Sequence, residues 1–331
     1  MIAYAIRRLL ISIPVLLVSS FLVFGLVATV GDPLEALRVT NPPTPPETIA
    51  LEAQRLHLDV PWYERYWLWL NNLLFHGDFG PSVNARENIN TEIWTRFGVT
   101  LRLVLIAMLL ALILAVLGGV ISAVKQYSKT DYTMTFFGFL FLATPSFFLA
   151  ILLKEAGITA NQIDGDPESR VFYTYGDHSA GLDNPSAWTQ FTDVAGHMIL
   201  PTISLALITF ASWSRFQRAS MLEVLGSDYI RLARAKGLRW RKVLTKHALR
   251  TALIPLTTVT ALDFAGILGG AIITETIFGW AGMGQYLTDS IRTDDAYAVM
   301  AWLLVAGSIV VIINLIADLL YGVLDPRIRH D

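Results

Sequence analysis

Leu103 to Val124 reads L-V-L-I-A-M-L-L-A-L-I-L-A-V-L-G-G-V-I-S-A-V, 22 positions between Arg102 and Lys125 without a charge. As a helix rising about 1.5 Å per residue it reaches about 33 Å, enough to cross the hydrocarbon core of a bilayer. Leu9 to Val30, Tyr132 to Leu153 and Ala296 to Ala317 are uncharged over the same length. Met198 to Ser214 adds 17 uncharged residues with Trp213 at one end, and Thr251 to Thr274 is interrupted only by Asp263. Six spans follow. Lipid offers backbone N–H and C=O groups no partner and open sheet edges cannot persist there, so an all-α membrane protein is expected.

The composition agrees. Hydrophobic residues make up 54% of the 331 and charged residues 16%, against about 25% in an ordinary soluble protein. There is no cysteine, which excludes disulfides, thiolate metal sites and cysteine nucleophiles. The net charge of −2 conceals a segregation. The termini, with the second and fourth loops, hold 16 of the 25 Lys and Arg: Arg7, Arg8, Lys125, Lys129, ten between Ser214 and Thr251, Arg327 and Arg329. The other three loops hold 8, together with 19 of the 27 acidic residues. Positive charge collects on the cytoplasmic side, so both termini are expected there. Arg7-Arg8 before an apolar run also suits a cleaved signal peptide, but the run is longer than the about 7 to 15 residues of such a segment. It reads as a first helix anchored by inside positives.

The loop between the first two spans, Gly31 to Phe97, is too long for a simple connection. N-P-P-T-P-P at Asn41 to Pro46 is an extended breaker, after which Glu47 to His57 and Trp62 to Phe75 read as amphipathic helices of a small external subdomain. A second outer loop, Lys154 to Gly196, is rich in Gly, Asp, Asn, Ser and aromatics and reads as irregular.

Motifs for catalysis are missing. No histidine has another four residues away, and neither H-E-x-x-H nor G-x-x-x-x-G-K-[ST] occurs, so no catalytic or metal residue is assigned and ATP is not bound in the P-loop manner. Asp164-Gly165-Asp166 before Pro167 reads as a solvated turn rather than a calcium loop. Gly279, Gly282 and Gly284 in F-G-W-A-G-M-G-Q form a tight non-helical turn. Carboxylates inside or beside spans are Asp263, Glu275 and Asp318, each costly to bury unless partnered. Glu275 and Asp318 lie at span ends within reach of headgroup water, whereas Asp263 sits mid-span, facing the bundle interior or a polar pathway. Without an intramembrane Lys or Arg they make a poor proton relay.

The cytoplasmic loop Ser214 to Thr251 is too long and too regular for a linker. Ser227-Asp228-Tyr229 can cap a helix running through Ile230 to Lys236 and ending at Gly237, a residue suited to a left-handed helix terminus. Trp240 to Leu249 reads as a second basic helix, and Pro255 opens the next span. Ala233 and Ala235 are expected to leave one face of the first helix bare for close approach by another protein. The same loop also suits a basic anchor on anionic lipid and, more remotely, a helix pair on nucleic acid.

Y-I-R-L-A-R-A-K-G-L, followed by K-H-A-L-R-T-A-L-I-P, resembles the coupling loop of the inner-membrane permeases of ATP-binding-cassette importers for dipeptides, oligopeptides and nickel. Tyr4 to Leu10 with the first span, L-H-L-D-V-P-W-Y-E-R-Y and G-D-F-G-P-S resemble the first of the two permeases in such systems. H-M-I-L-P-T, E-T-I-F-G-W-A-G-M-G and A-D-L-L-Y-G-V-L-D-P-R-I-R continue the match in order along most of the chain. Where the wider family has E-A-A and then a glycine, this chain has Arg231, Leu232 and Ala233, then Gly237. The proline usual after the fifth span is Ala281, and the loop 154–196 lacks a short proline–glycine element.

The resemblance implies a six-helix type I importer permease in a bacterial inner membrane. Residues 1–30 would form the N-terminal tail and first helix, 31–97 an extracytoplasmic subdomain, 98–322 the permease domain with its coupling loop 214–251, and 323–331 a cytoplasmic tail. Partners would be a homologous second permease, two ATPase subunits or one fused ATPase, an extracytoplasmic solute-binding protein and membrane lipid, with no nucleic acid. ATP and Mg would be bound by the ATPases and no cofactor by this chain. Coupling would fall to Ser227, Asp228, Tyr229, Ala233, Ala235, Gly237 and Leu238, and a polar contact in the path to Asp263. Gating or binding-protein docking would fall to Gly77, Asp78, Gly80, Ser82, Gly282 and Gly284. The alternative from another class is a secondary transporter or channel without ATPases, which has no need of the long basic loop with its glycine hinge.

Overall fold

The computed structural model describes residues 2–324 apart from 41, 43, 165–170 and 182–185, without the side chains of 2–5, 164, 265, 270 and 317–324. Parts of N-P-P-T-P-P, the turn at 164–166, the Asp318 side chain, and Arg327 and Arg329 therefore lie outside the described residues. No strand occurs among the described residues. Four helices are long and apolar enough to cross a membrane, or up to six where each of two bent pairs counts as one span.

Contacts divide the chain into two compact units, residues 1–100 with 281–315 and residues 101–280 with 316–331. The first holds α1 (Ile2–Val30), α2 (Glu35–Arg38), α3 (Pro46–Arg55), α4 (Trp62–His76), the start of α5 (Ile89–Val124), α12 (Met283–Arg292) and most of α13 (Ala296–Leu324). Proline at the first position opens α3, where a missing N–H costs nothing. The core of this unit is aromatic: Phe24, Tyr66, Trp69 and Tyr297 are buried together, with Ile93 and Met300. Trp69 Nε1 donates to Phe79 O at 3.0 Å, so the largest buried ring keeps no unanswered donor. α4 lies along α1, its Trp62 ring 2.9 Å from where a Cβ on Gly25 would stand, and the Tyr66 and Ser20 hydroxyls meet at 2.8 Å.

The second unit contains the rest of α5, then α6 (Lys129–Ala143), α7 (Ser146–Asp164), α8 (Ala187–Leu225), α9 (Asp228–Ala235), α10 (Trp240–Lys242), a π-helical segment Val243–Ala248 and α11 (Leu249–Phe278). Here the structure corrects several expectations. Tyr132 to Leu153 is not one straight helix: α6 and α7 meet at 106°. Pro145 is the cause, because it lacks an N–H and drives the residue before it out of the helical region. Thr144 accordingly sits at φ −83°, ψ 124°. The loop 154–196 is helical at both ends. α7 continues to Asp164, and Ser186 caps α8 by accepting from Thr189 N at 3.1 Å, so the span expected at Met198 to Ser214 is part of a 39-residue helix.

Between those helices, residues 171–181 close over the end of α11. Gly176 N donates to Phe278 O at 2.9 Å and Lys154 Nζ to Ile277 O at 2.6 Å, answering carbonyls that a helix end leaves unpaired. The lysine charge also suits the negative end of the helix dipole. Glycines set the spacing of α5 and α8: a Cβ on Gly119 would stand 2.7 Å from Gln217 Cβ and 2.9 Å from Ser214 O.

Four further corrections concern α11 and its surroundings. Pro255 lies inside α11 rather than opening it, and Trp240 to Leu249 is no separate helix, since the π segment runs directly into α11. Glu275 is 0% exposed, not at a wetted span end. Of the three glycines after α11, Gly279 is left-handed at φ +62° and Gly282 precedes α12, but Gly284 is inside that helix.

Candidate functional site

α9 carries every residue that the sequence assigns to coupling, on the helix or at its ends. Ser227 has the extended backbone of an N-cap, φ −72° and ψ 153°, yet its hydroxyl donates backwards to Val224 O at 2.5 Å rather than capping α9. The other end is closed as expected, with Gly237 at φ +77°. Gly237 N donates to Arg234 O at 2.9 Å and Leu238 N to Ala233 O at 3.4 Å, the paired bonds of a Schellman motif.

The two alanines do not share a face. Residues two apart on an α-helix point about 200° from each other: Ala233 is 9% exposed and turned inward, while Ala235 is exposed. Inward, Ile230 and Ala233 pack with Ala123 of α5, Met221 of α8, Val243 and Ala248 of the π segment and Ala252 of α11, and Leu238 lies against the same cluster. Outward stand Tyr229, Leu232 (55% exposed) and Ala235 among Asp228, Arg231 and Lys236. Leu232 and Ile230 were not singled out by the sequence, although the i, i+3 pairs Ile230/Ala233 and Leu232/Ala235 already separate the two faces. The Arg231–Asp228 pair is exposed and adds little. Arg234 lies 5.3 Å over the Trp240 ring, tying α9 to the segment that follows.

A charge cluster beside α9's anchor escaped sequence reasoning. Asp131, 3% exposed, receives Arg218 Nε and Nη2 at 2.8 Å each, Tyr127 N at 3.0 Å and the Ser122 hydroxyl. It joins α5, the α5–α6 turn, α6 and α8. The available signal was a lone aspartate between Lys125 and the apolar block in an otherwise basic loop. Asp263 is half-buried and accepts Trp213 Nε1 at 2.7 Å, so the mid-span carboxylate has an indole partner.

In the first unit, Gly77, Asp78, Gly80 and Ser82 fall in one turn after α4. Gly77 ends α4 at φ +66°. Asp78 Oδ1 accepts from Gly80 N at 3.0 Å and Asn90 Nδ2 at 3.3 Å. Gly80, at φ +93°, lies under the Tyr297 ring, 2.8 Å from where a Cβ would be. Ser82 Oγ and Val83 N donate to Asp295 Oδ2 at 2.7 and 2.8 Å, while Asp295 Oδ1 accepts Ala298 N at the start of α13. Arg55 Nη2 donates to Ser82 O at 2.7 Å and also binds Glu52, and that hydrogen bond holds the Glu52 carboxyl below its usual range. Met283 N, next to Gly282, donates to Thr100 Oγ1 at 2.7 Å. Beside this turn a cavity of about 700 Å³ is bordered by Glu87, Glu92, Arg96, Tyr286 and Asp289. Burial, then Glu92 and Asp295, raises the Glu87 carboxyl, and burial pushes the Tyr286 hydroxyl well above its usual range. Among the described residues no group of His, Asp and Glu has the arrangement to hold a metal.

α9 is thus anchored inward through Ile230 and Ala233 and exposes Tyr229, Leu232 and Ala235 among charged residues. The chain matches the family described as binding-protein-dependent transport system inner membrane component over residues 115–330. It is 39% identical to the oligopeptide transport system permease protein OppB of Mycobacterium tuberculosis, covering 98% of each chain. It is 36% identical to the dipeptide transport system permease protein DppB of Escherichia coli K12, covering 100% of this chain and 99% of the relative. Against the oligopeptide transport system permease protein AppB of Bacillus subtilis it is 36% identical over the full length of both. With helices able to span a membrane and this full-length similarity, the chain belongs to the family of inner-membrane permease components of binding-protein-dependent transport systems.

Proposed function

We propose that this permease is the first of two homologous membrane subunits of an ATP-driven importer of dipeptides and oligopeptides, with both termini in the cytoplasm. A solute-binding protein delivers peptide to the outer face, where the turn Gly77 to Ser82 and the start of α12 shape the docking surface and gate. Two ATPase subunits bind ATP and Mg and grip α9 from the cytoplasm, this chain binding no cofactor itself. The names of the full-length relatives support the cargo. One observation carries the coupling role: α9 exposes Tyr229, Leu232 and Ala235 while Ile230 and Ala233 fasten it to α5, α8 and α11. Closure of the ATPases on ATP moves α9, the helices sharing its core tilt, and a path past Asp263 opens outward; hydrolysis resets it.

The test is purification of the tagged chain from native membranes, followed by reconstitution in liposomes. A second permease and ATPase subunits should co-elute, and uptake of labelled tripeptide should require both ATP and the binding protein. Leu232→Glu, which places a charge on the outward face, should lower ATPase retention and abolish uptake. Uptake without ATP, or full activity in Leu232→Glu, overturns the proposal.

A further inference from the structure

Arg65, on α4, is 6% exposed and has no carboxylate within ion-pair distance among the described residues. Its guanidinium carbon stands 5.3 Å over the Phe24 ring, while Nε is buried without a hydrogen bond. Burial lowers its pKa, as expected for a cation taken from water without an anion. Such a charge is costly unless an anion and hydrogen bonds answer it. Arg65 borders a cavity of about 300 Å³. Three other charged groups border it. Asp32 and Arg38 answer each other at 2.6 Å. Asp294, at φ +52°, presses its carboxylate against Gly31, and that carboxylate has no hydrogen bond among the described residues. The cavity is thus left with one unanswered guanidinium and one unanswered carboxylate.

Its position limits what can enter. The wall includes Val27 and Ala28 at the end of α1, and Ala296 and Tyr297 at the start of α13, two helices able to span a membrane. That is the level at which lipid headgroups lie. α4 packs on α1 between Leu17 and Gly25, within the charge-free stretch, and exposes Tyr63, Trp67, Leu68, Leu74 and Phe75. Trp and Tyr beside aliphatic residues are the side chains favoured at a lipid–water boundary. We propose that this cavity binds the headgroup of a zwitterionic aminophospholipid, its phosphate on Arg65 and its ammonium on Asp294. The guanidinium fork matches phosphate oxygens in a way an ammonium would not. A peptide with free termini carries the same two charges, but Trp67, Leu68, Leu74 and Phe75 exposed on α4 among Glu64, Asn71 and Asn72 make the mixed surface of a lipid–water boundary, which favours lipid.

The experiment uses the full chain with its co-purifying subunits, delipidated in detergent and titrated with phosphatidylethanolamine, phosphatidylcholine or trialanine, with bound molecules counted by native mass spectrometry. Wild type should retain one phosphatidylethanolamine per chain in preference to phosphatidylcholine, and trialanine should not displace it. Arg65→Gln should weaken retention of both lipids by about tenfold or more, the loss of a charge-assisted hydrogen-bonded pair. Asp294→Asn, which tolerates the left-handed backbone, should keep the lipid but lose the preference. Should Arg65→Gln fail to fold, Asp294→Asn decides, with Ala28→Leu, which fills the cavity without touching either charge, expected to abolish retention. Equal retention by all variants, or no retained lipid in wild type, overturns the proposal, and displacement by trialanine assigns the cavity to cargo instead.

Discussion

Gly237 isolates the closed end of α9 from everything else the helix does. It holds φ +77°, and a Cβ there would meet nothing within 4 Å, so substitution tests backbone conformation and not packing within the chain. A non-glycine residue in the left-handed region costs about 1–2 kcal/mol, more when β-branched. That corresponds to about a 5- to 30-fold fall in the population of the Schellman-closed end. Gly237→Val should therefore reach the membrane, because Ile230 and Ala233 still hold α9 in its core, but should lose peptide uptake by about that factor in liposomes and uncouple ATP hydrolysis from peptide. Gly237→Asn is also larger than glycine, yet asparagine visits this region readily, and it should keep most of the coupled activity. Replacing Arg239 and Arg241 with Gln should do less damage than Gly237→Val, whereas a lipid anchor would show the reverse order. Normal coupled transport by Gly237→Val, or equal loss in the Val and Asn variants, would refute the conformational argument.

Two further outcomes follow from the charges. Arg218→Met strands Asp131 with only Ser122 and Tyr127 N as partners and should cost about 3 kcal/mol, seen as a fall of several degrees in the thermal midpoint of the purified protein; combining it with Asp131→Leu should recover most of the loss, and no recovery would contradict a stranded charge as the cause. For Glu87 the folded pKa is raised above 4.5, so the folded state holds the proton more tightly, and the stabilisation is complete below 4.5 and lost as pH rises through the folded value. Glu87→Gln, which imitates the protonated form, should raise the thermal midpoint at neutral pH and leave it unchanged in acid, and equal midpoints at neutral pH would count against the burial argument.

Apolar length and the lack of charge within each stretch made the spanning helices legible, because a bilayer imposes one rule on every residue in a span. They could not reveal the bend at Pro145, since a charge count treats Thr144-Pro145-Ser146 as ordinary uncharged residues although the backbone rule for proline was available. The helical ends of the loop 154–196 were missed for a different reason. α7 past Lys154 and α8 before His197 are held by contacts distant in sequence, such as Gly157, whose missing Cβ leaves room for Leu200. In α9, the glycine terminus was legible from residue type alone, but the facing of Ala233 required helical spacing to be applied residue by residue. Asp131 and Arg218 are 87 positions apart, and no local pattern pairs them.

The π segment explains why the sequence suggests a second basic helix where none stands alone. Five residues on an α-helix turn about 500°, which would put Val243 and Ala248 on different faces. In a π-helix the i and i+5 positions are joined by the backbone hydrogen bond and stack, so both residues are fully buried in the core that receives Ile230 and Ala233. The widened turn lets one short segment face α9 at Val243 and then enter α11 at Leu249 without a break. Close packing resists small independent shifts of the groups in such a core, so the proposed movement of α9 would carry the ends of α5 and α8 and the root of α11 with it. From Ala248, α11 continues through Pro255 to Asp263, 15 residues and about 22 Å away. The indole of Trp213 holds Asp263 to α8, which shares the α9 core at Met221. Two helices leaving one core and rejoined by the Trp213–Asp263 hydrogen bond form a closed frame, and under the proposed coupling role such a frame would pass on a tilt that a single hinged helix would absorb.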